Sequence, residues 1–159
     1  MPYRMKVDGM EELSETLGKM GEMAASAASQ GLYEGAGVMV KALNNAAGAI
    51  KTEPFHYVRS GTRLPSPEEK AIVTEAAAGI ARFDKNGTDV NTSVGFRNSG
   101  YAKLNGRVKP IPLIVNSINS GTSFMRKQPF VRQAAKEASA PAMEAIKKKI
   151  EEVFESTTK

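Results

Sequence analysis

The chain has 159 residues, 41% of them apolar, which fits one folded domain with a real core and excludes wholesale disorder. It has no Cys, which excludes a disulfide framework, a thiolate nucleophile and Cys-ligated zinc. The net charge of +5 is unevenly spread: residues 1–89 carry ten basic and twelve acidic side chains, whereas residues 90–136 carry eight basic ones and no carboxylate.

In chain order, Tyr3–Val7 alternates and reads as a short strand, and Asp8 with Glu11 three residues on resembles a capping box. Met10, Leu13, Leu17, Met20, Ala24 and Ala27 recur at steps of three and four, as one face of an amphipathic helix does. The pattern weakens at Ser29-Gln30-Gly31 and resumes through Leu32, Ala36, Met39, Leu43 and Ile50. Met10–Ile50 is therefore one long broken helix or two helices with a bend near Gly31. Glu53-Pro54 ends it, and Phe55–Arg63 reads as irregular. Ser66-Pro67-Glu68-Glu69 is a helix start, with Ser as N-cap, Pro in the first turn and carboxylates at the positive end of the dipole; that helix is expected to run to about Ala81.

Asp84–Gly87 reads as a turn and Asp89–Phe96, with Val90, Thr92, Val94 and Phe96 on one face, as a half-buried strand. Asn98–Pro112 reads as a polar loop and the β-branched Leu113–Ile118 as a second main strand. A last helix is expected from Pro129 to about Phe154, interrupted by Pro141, with Ser156–Lys159 frayed. The expected architecture is a single α+β domain over residues 1–155. In it a small antiparallel sheet packs against the long N-terminal helix, with an extra central helix and a C-terminal helix.

Catalytic equipment is sparse. His56 is the only histidine, so a site built on several histidines is excluded, and any Ser–His–Asp arrangement has to use it. No G-x-S-x-G elbow, phosphate-binding loop or G-x-G-x-x-G follows a strand. The carboxylate pairs Glu11-Glu12, Glu68-Glu69 and Glu151-Glu152 read as helix faces and helix starts. Gly31, Gly35 and Gly37 read as a bend or a close helix contact. No cofactor and no metal are expected. The basic stretch holds Arg97, Lys103, Arg107, Lys109, Arg126, Lys127, Arg132 and Lys136. It suits a solvated surface paired with N-terminal carboxylates, an acidic protein partner, or nucleic acid.

The stretch Asn116–Lys136 reads NSINSGTSFMRKQPFVRQAAK. Gly121 suits a positive φ at the turn, Pro129 suits a first helical turn, and Phe130 is the first apolar anchor of the helix. The succession Gly121-Thr122-Ser123, Gln128-Pro129-Phe130 and an Arg- and Ala-containing helix resembles the C-terminal signature of phage tail-completion proteins. These are the head–tail joining or minor tail components of long-tailed phages, of the gene-product-ten type. The opening Val7–Leu13 and the Ala-rich helix ending at Ile50-Lys51 are similar to further parts of that family. Its Thr-Gly-x-Leu segment has only Ser60–Leu64 as a counterpart, and the helix from Ser66 is an addition.

The resemblance implies a structural virion protein without enzymatic chemistry. Its subunits would form a ring at the head-proximal end of the tail and contact connector and tail-tube proteins, after assembly in the host cytoplasm. The expected contact residues are Arg97, Lys103, Arg107, Lys109, Thr122, Arg126 and Lys127, and Gly121, Pro129 and Phe130 form the structural signature. The alternative is a nucleic-acid-binding module using the basic surface of residues 90–136. The apolar core of a signal peptide is missing from MPYRMKVDG, and no apolar run reaches the roughly 20 residues that cross a bilayer, so no membrane contact is expected.

Overall fold

A computed structural model describes residues 11–86, 89–96 and 100–158; the expected Tyr3–Val7 strand, the Asp8 cap and Arg97 lie outside them. Helix α1 spans Glu11–Gly48 without a break at Gly31. The glycines serve a close approach. A Cβ at Gly31 would come within 3.0 Å of Ile150 Cγ1, and one at Gly35 within 2.5 Å of Ile146 Cγ1 and 3.1 Å of the Ala142 carbonyl oxygen. Both isoleucines belong to helix α4, Phe130–Thr157, whose buried residues Phe130, Ala134, Ala138 and Ala142 recur every fourth position. As Gly31 gives way to Gly35, the facing residues move from Ile146 and Ile150 back to Ala142 and Ile146, so the helices run antiparallel. Small residues at steps of four on both surfaces let the two backbones come close enough for ridges to interlock. Pro141 is accommodated within α4, on its exposed side, and the helix continues through Thr157, past the expected fraying point.

Helix α2 spans Pro67–Ala76, shorter than expected. Its start is a complete capping box between Ser66 and Glu69. Ala77 then takes φ +50°, a left-handed conformation that is strained for alanine. Immediately after it, Asn44 Oδ1 of α1 accepts the Ala78 N–H at 2.7 Å. The chain is thereby drawn off the helix into strand β1, Ala78–Ile80.

Strands β1, β2 (Asp84–Asn86), β3 (Asp89–Asn91) and β4 (Val94–Phe96) form two successive sections of one antiparallel hairpin, β1 with β4 and β2 with β3. The register passes from Ile80↔Val94 to Asp84↔Asn91. Residues 81–83 thus oppose residues 92–93, and the extra residue is a bulge. The expected continuous strand Asp89–Phe96 is divided there, and Asp84–Asn86 is strand instead of turn. The hairpin lies along α1, with the Tyr33 and Phe83 ring centroids 6.5 Å apart.

The expected loop Asn98–Pro112 contains a second hairpin, β5 (Tyr101–Leu104) and β6 (Arg107–Pro110). Its two-residue turn is Asn105-Gly106, with φ of +50° and +77°, the positive angles that match a turn to the twist of the strands. Leu113–Ile118, expected as a strand, lies instead in helix α3, Ile111–Ser120. The reason is which face each conformation buries. A strand would pair Ile114 with Asn116 and Ile118 on one side. The helix buries Ile114, Val115 and Ile118 together and leaves Asn116 exposed. Proline in its first turn is compatible with this start.

One core unites the elements: Leu43, Ala47 and Ile50 from α1, Val73 from α2, Ala78 and Phe96 from the first hairpin, Leu104 from the second, Ile114, Val115 and Ile118 from α3, and Phe130 and Ala134 from α4. The fold is α+β, with the first antiparallel hairpin against the long helix α1 and the second against α2 and α3.

The close helix contact predicts a contrast between glycines. Gly35→Val should lower unfolding free energy by about 1–3 kcal/mol through overpacking against Ile146. Gly18→Ala, where a new methyl meets nothing within 4 Å, should be neutral or stabilising by up to about 1 kcal/mol. Denaturant unfolding followed by circular dichroism checks both.

Candidate functional site

The segment joining α3 to α4 is held by hydrogen bonds along its whole length. Gly121 ends α3 with φ +78°, and its N–H donates to the Ser117 carbonyl at 2.9 Å. A Cβ there would lie 2.9 Å from Lys127 Cβ and 3.0 Å from Lys127 N, so the position excludes side chains on two grounds. Thr122 Oγ1 accepts from the Phe124 and Met125 N–H groups at 3.2 and 3.0 Å, closing a tight turn.

Gln128 makes the longest-range connection. Its Oε1 accepts the Lys51 N–H at 2.9 Å and its Nε2 donates to the Lys51 carbonyl at 2.8 Å. The side-chain amide therefore pairs with the backbone just past α1 as a strand partner does. Pro129 sits at the N-cap of α4, one position ahead of the expected first turn. The missing cap is supplied from α3, where Asn119 Oδ1 accepts the Val131 N–H at 3.1 Å. Phe130 is 5% exposed and meets Phe96 edge to face with centroids 5.8 Å apart. Gly121, Pro129 and Phe130 are thus architectural. Phe130→Ala should cost about 3–5 kcal/mol of stability, read from the melting curve and from denaturant unfolding.

A buried ion pair anchors this loop from the other side. Arg63 donates to both Glu69 oxygens at 2.8 Å, and the two side chains are only 11% and 6% exposed. Glu69 also accepts the Ser66 N–H at 2.7 Å and caps α2, and Arg63 donates a further bond to the Leu64 carbonyl. The Arg63 guanidinium lies over the Phe55 ring, 5.1 Å from its centroid. The Arg63 backbone pairs with residues 124–126: its N–H donates to the Phe124 carbonyl at 3.0 Å, and the Arg126 N–H donates to its carbonyl at 2.8 Å.

Burial alone would raise the Glu69 carboxyl. The Arg63 and Ser66 hydrogen bonds outweigh it and hold the carboxyl below its ordinary value near 4.5. The Glu69 hydrogen bond likewise raises Arg63, keeping it charged. A depressed carboxyl contributes stability that is full above the ordinary value and is lost as pH falls through the lower folded value. Glu69→Gln should therefore lower stability at neutral pH by about 3–5 kcal/mol, because a buried guanidinium loses its counter-charge. It should also flatten the acid limb of the stability–pH profile, measured by urea unfolding across the acidic range.

The expected contact residues fall on and beside the β5–β6 hairpin and this loop. Lys103, Arg107, Lys109, Thr122, Arg126 and Lys127 are exposed, and Arg97 lies outside the described residues. The hairpin register puts Tyr101 opposite Pro110 and Lys103 opposite Val108. Those four share one outward face, while Leu104 points into the core. Lys109, Leu113, Thr122 and Phe124 border a cleft of about 180 Å³ whose floor includes Arg63 and Met125.

Tyr101, Val108, Leu113 and Phe124 are 72, 68, 53 and 65% exposed; Tyr101 and Val108 share the outward hairpin face with Lys103, while Leu113 and Phe124 border the cleft with Lys109. The expected pairing of these cations with N-terminal carboxylates is not made among the described residues. The ion pairs found there are Arg63–Glu69 and Lys149–Glu152. Sequence reading missed Arg63, Glu69 as an ion-pair partner, and Gln128 as a clasp; only the Ser66/Glu69 capping spacing was a usable signal.

His56, the one imidazole, is exposed, with Nδ1 3.2 Å from the Pro54 carbonyl oxygen. A cavity of about 660 Å³ opens over β1 and β4 and carries Glu75 as its ionisable lining residue. Among the described residues no group of three or more His, Asp or Glu side chains is placed to hold a metal ion, and no helix is long and apolar enough to cross a membrane. The chain matches no protein-family model, no curated protein and no solved structure.

Proposed function

We propose that this chain is a structural virion protein that acts in phage tail completion and head–tail joining, as one subunit of a ring at the head-proximal end of the tail. The observation that supports this reading most is the loop from Ser120 to Phe130. Gln128 clasps the chain just past α1, Asn119 caps α4 and Met125 is buried, while Thr122, Ser123, Phe124, Arg126 and Lys127 stand exposed. This divides the segment into a fixed frame and a presented surface, as an assembly protein requires. Exposed apolar side chains with cations near them favour a protein partner with an acidic surface, because desolvated aromatics supply affinity and charges supply steering.

One alternative has its own observation. Exposed Tyr101 and Phe124 beside Lys103 and Arg126 also provide what single-stranded nucleic acid needs, stacking rings and cations. That reading requires binding that weakens steeply with salt.

Electron microscopy of particles made without this gene tests the proposal. Filled heads separate from unjoined or misterminated tails are expected; intact, joined particles would refute it. Arg126→Glu combined with Lys127→Glu should reproduce the defect while leaving the circular dichroism spectrum and melting temperature unchanged, since both side chains are exposed. Normal particles from that double variant would remove these residues from the contact.

A further inference from the structure

The cleft beside Phe124 is sized for a side chain. Its volume of about 180 Å³ falls below the range of about 300–1,000 Å³ that small-molecule and cofactor pockets occupy. At about 30 Å³ per water molecule it has room for about six, the scale of one amino-acid side chain. Leu104, Leu113, Ile114, Met125 and Phe124 supply its apolar walls. Leu104, Ile114 and Met125 are buried, whereas Leu113 and Phe124 stand exposed. The polar lining is rich in donors. Lys109 pairs with Ala102 in the hairpin register, so it shares a face with the buried Leu104, and both line the cleft; Lys103 lies on the opposite face. Among the described residues no carboxylate is within ion-pair distance of Lys109. Thr122 Oγ1 accepts the Phe124 and Met125 N–H groups, which leaves its own proton to donate. A guanidinium has five N–H donors, and in Arg63 Glu69 and the Leu64 carbonyl take three of them. Ser117, by contrast, gives its proton to the Leu113 carbonyl. Glu69 balances the charge of Arg63, so the cleft keeps one net positive charge, that of Lys109.

We propose that this cleft receives one glutamate side chain of an acidic partner protein. One unbalanced positive charge matches one carboxylate, and Lys109 and Thr122 supply donors for its oxygens. The two methylenes of a glutamate suit the apolar walls. A doubly charged phosphate would bring its second charge towards Glu69, which lines the same cleft. A phosphodiester within a nucleic-acid strand carries a nucleoside on either side and is too large for a space of one side chain. A partner seated here also covers Leu113 and Phe124. Their burial excludes water from around the carboxylate and strengthens its charged hydrogen bonds. The proposal rests on the acidic-partner reading given above and names the group that is recognised and the residues that recognise it.

Methyl NMR of the full chain, labelled at its Ile, Leu, Met and Thr methyl groups, tests this by titration with N-acetyl-glutamate N-methylamide, which carries its one carboxylate on the side chain. The expected result is saturable shifts at Leu113, Ile114, Thr122 and Met125, with the isosteric glutamine compound binding at least about tenfold more weakly. Lys109→Met, at an exposed position, should preserve the circular dichroism spectrum and weaken the glutamate compound to the level of the glutamine one. Lys103→Met, on the opposite face of the hairpin, should leave binding unchanged. Equal binding of the two compounds, shifts confined to other methyl groups, no saturation, or an equal loss in Lys103→Met would each overturn the proposal. Tighter binding at the same methyl groups by inorganic phosphate or by a thymidine oligonucleotide would overturn it in favour of a phosphate site or a nucleic-acid face. Selective glutamate binding together with intact, joined particles in the gene deletion would keep the cleft and sink the head–tail reading. The opposite pair of results would sink the cleft and leave that reading standing.

Discussion

Glu69 is the carboxylate on which the middle of the molecule depends. Its two oxygens hold the Arg63 guanidinium, accept the Ser66 N–H and so start α2. Because Arg63 is fixed, its peptide groups can pair with Phe124 and Arg126, and the loop before α4 is held against a segment from the first half of the chain. A buried ion pair is a poor source of net stability, since desolvation offsets the attraction. Its value here is directional: a bidentate fork accepts one geometry, and several chain segments are aligned by it.

The second constraint is the approach of α1 to α4. Alanine and glycine at steps of four bury little surface per residue, but they let two long helices touch along their backbones. A pair so joined is stiff, and it carries the two hairpins and α3 at one end. The other end of α1 is left without intramolecular cover at residues 18–22.

Internal architecture and exposed surface use different residues of the same short stretch. Gly121, Asn119, Gln128 and Phe130 direct their chemistry inward, to a left-handed turn, a helix cap, a backbone clasp and a core contact. Phe124, Arg126 and Lys127 face solvent. The pattern in this region therefore reports the frame first, and the residues the frame displays are left free of that duty.

Helices whose signals are local were legible in the amino-acid order. The three-and-four spacing along α1, the Ser66/Glu69 box of α2 and the anchor Phe130 of α4 all act within a few residues of where they are written. The α+β class followed from them, and so did the carboxylate-free basic stretch that supplies the candidate face. Asn105-Gly106 carries a local hairpin signal too, which the surrounding prolines obscure. Packing decided the rest. The β-branched run in α3 became helix because only that conformation buries Ile114, Val115 and Ile118 together. The strand after Asp89 was split by a bulge set by its partner's length, and α2 stopped where Asn44 captured Ala78. The pairing of Arg63 with Glu69 and of Gln128 with Lys51 could not be read from spacing. Such contacts are satisfied between groups that only the packed chain brings within hydrogen-bond reach.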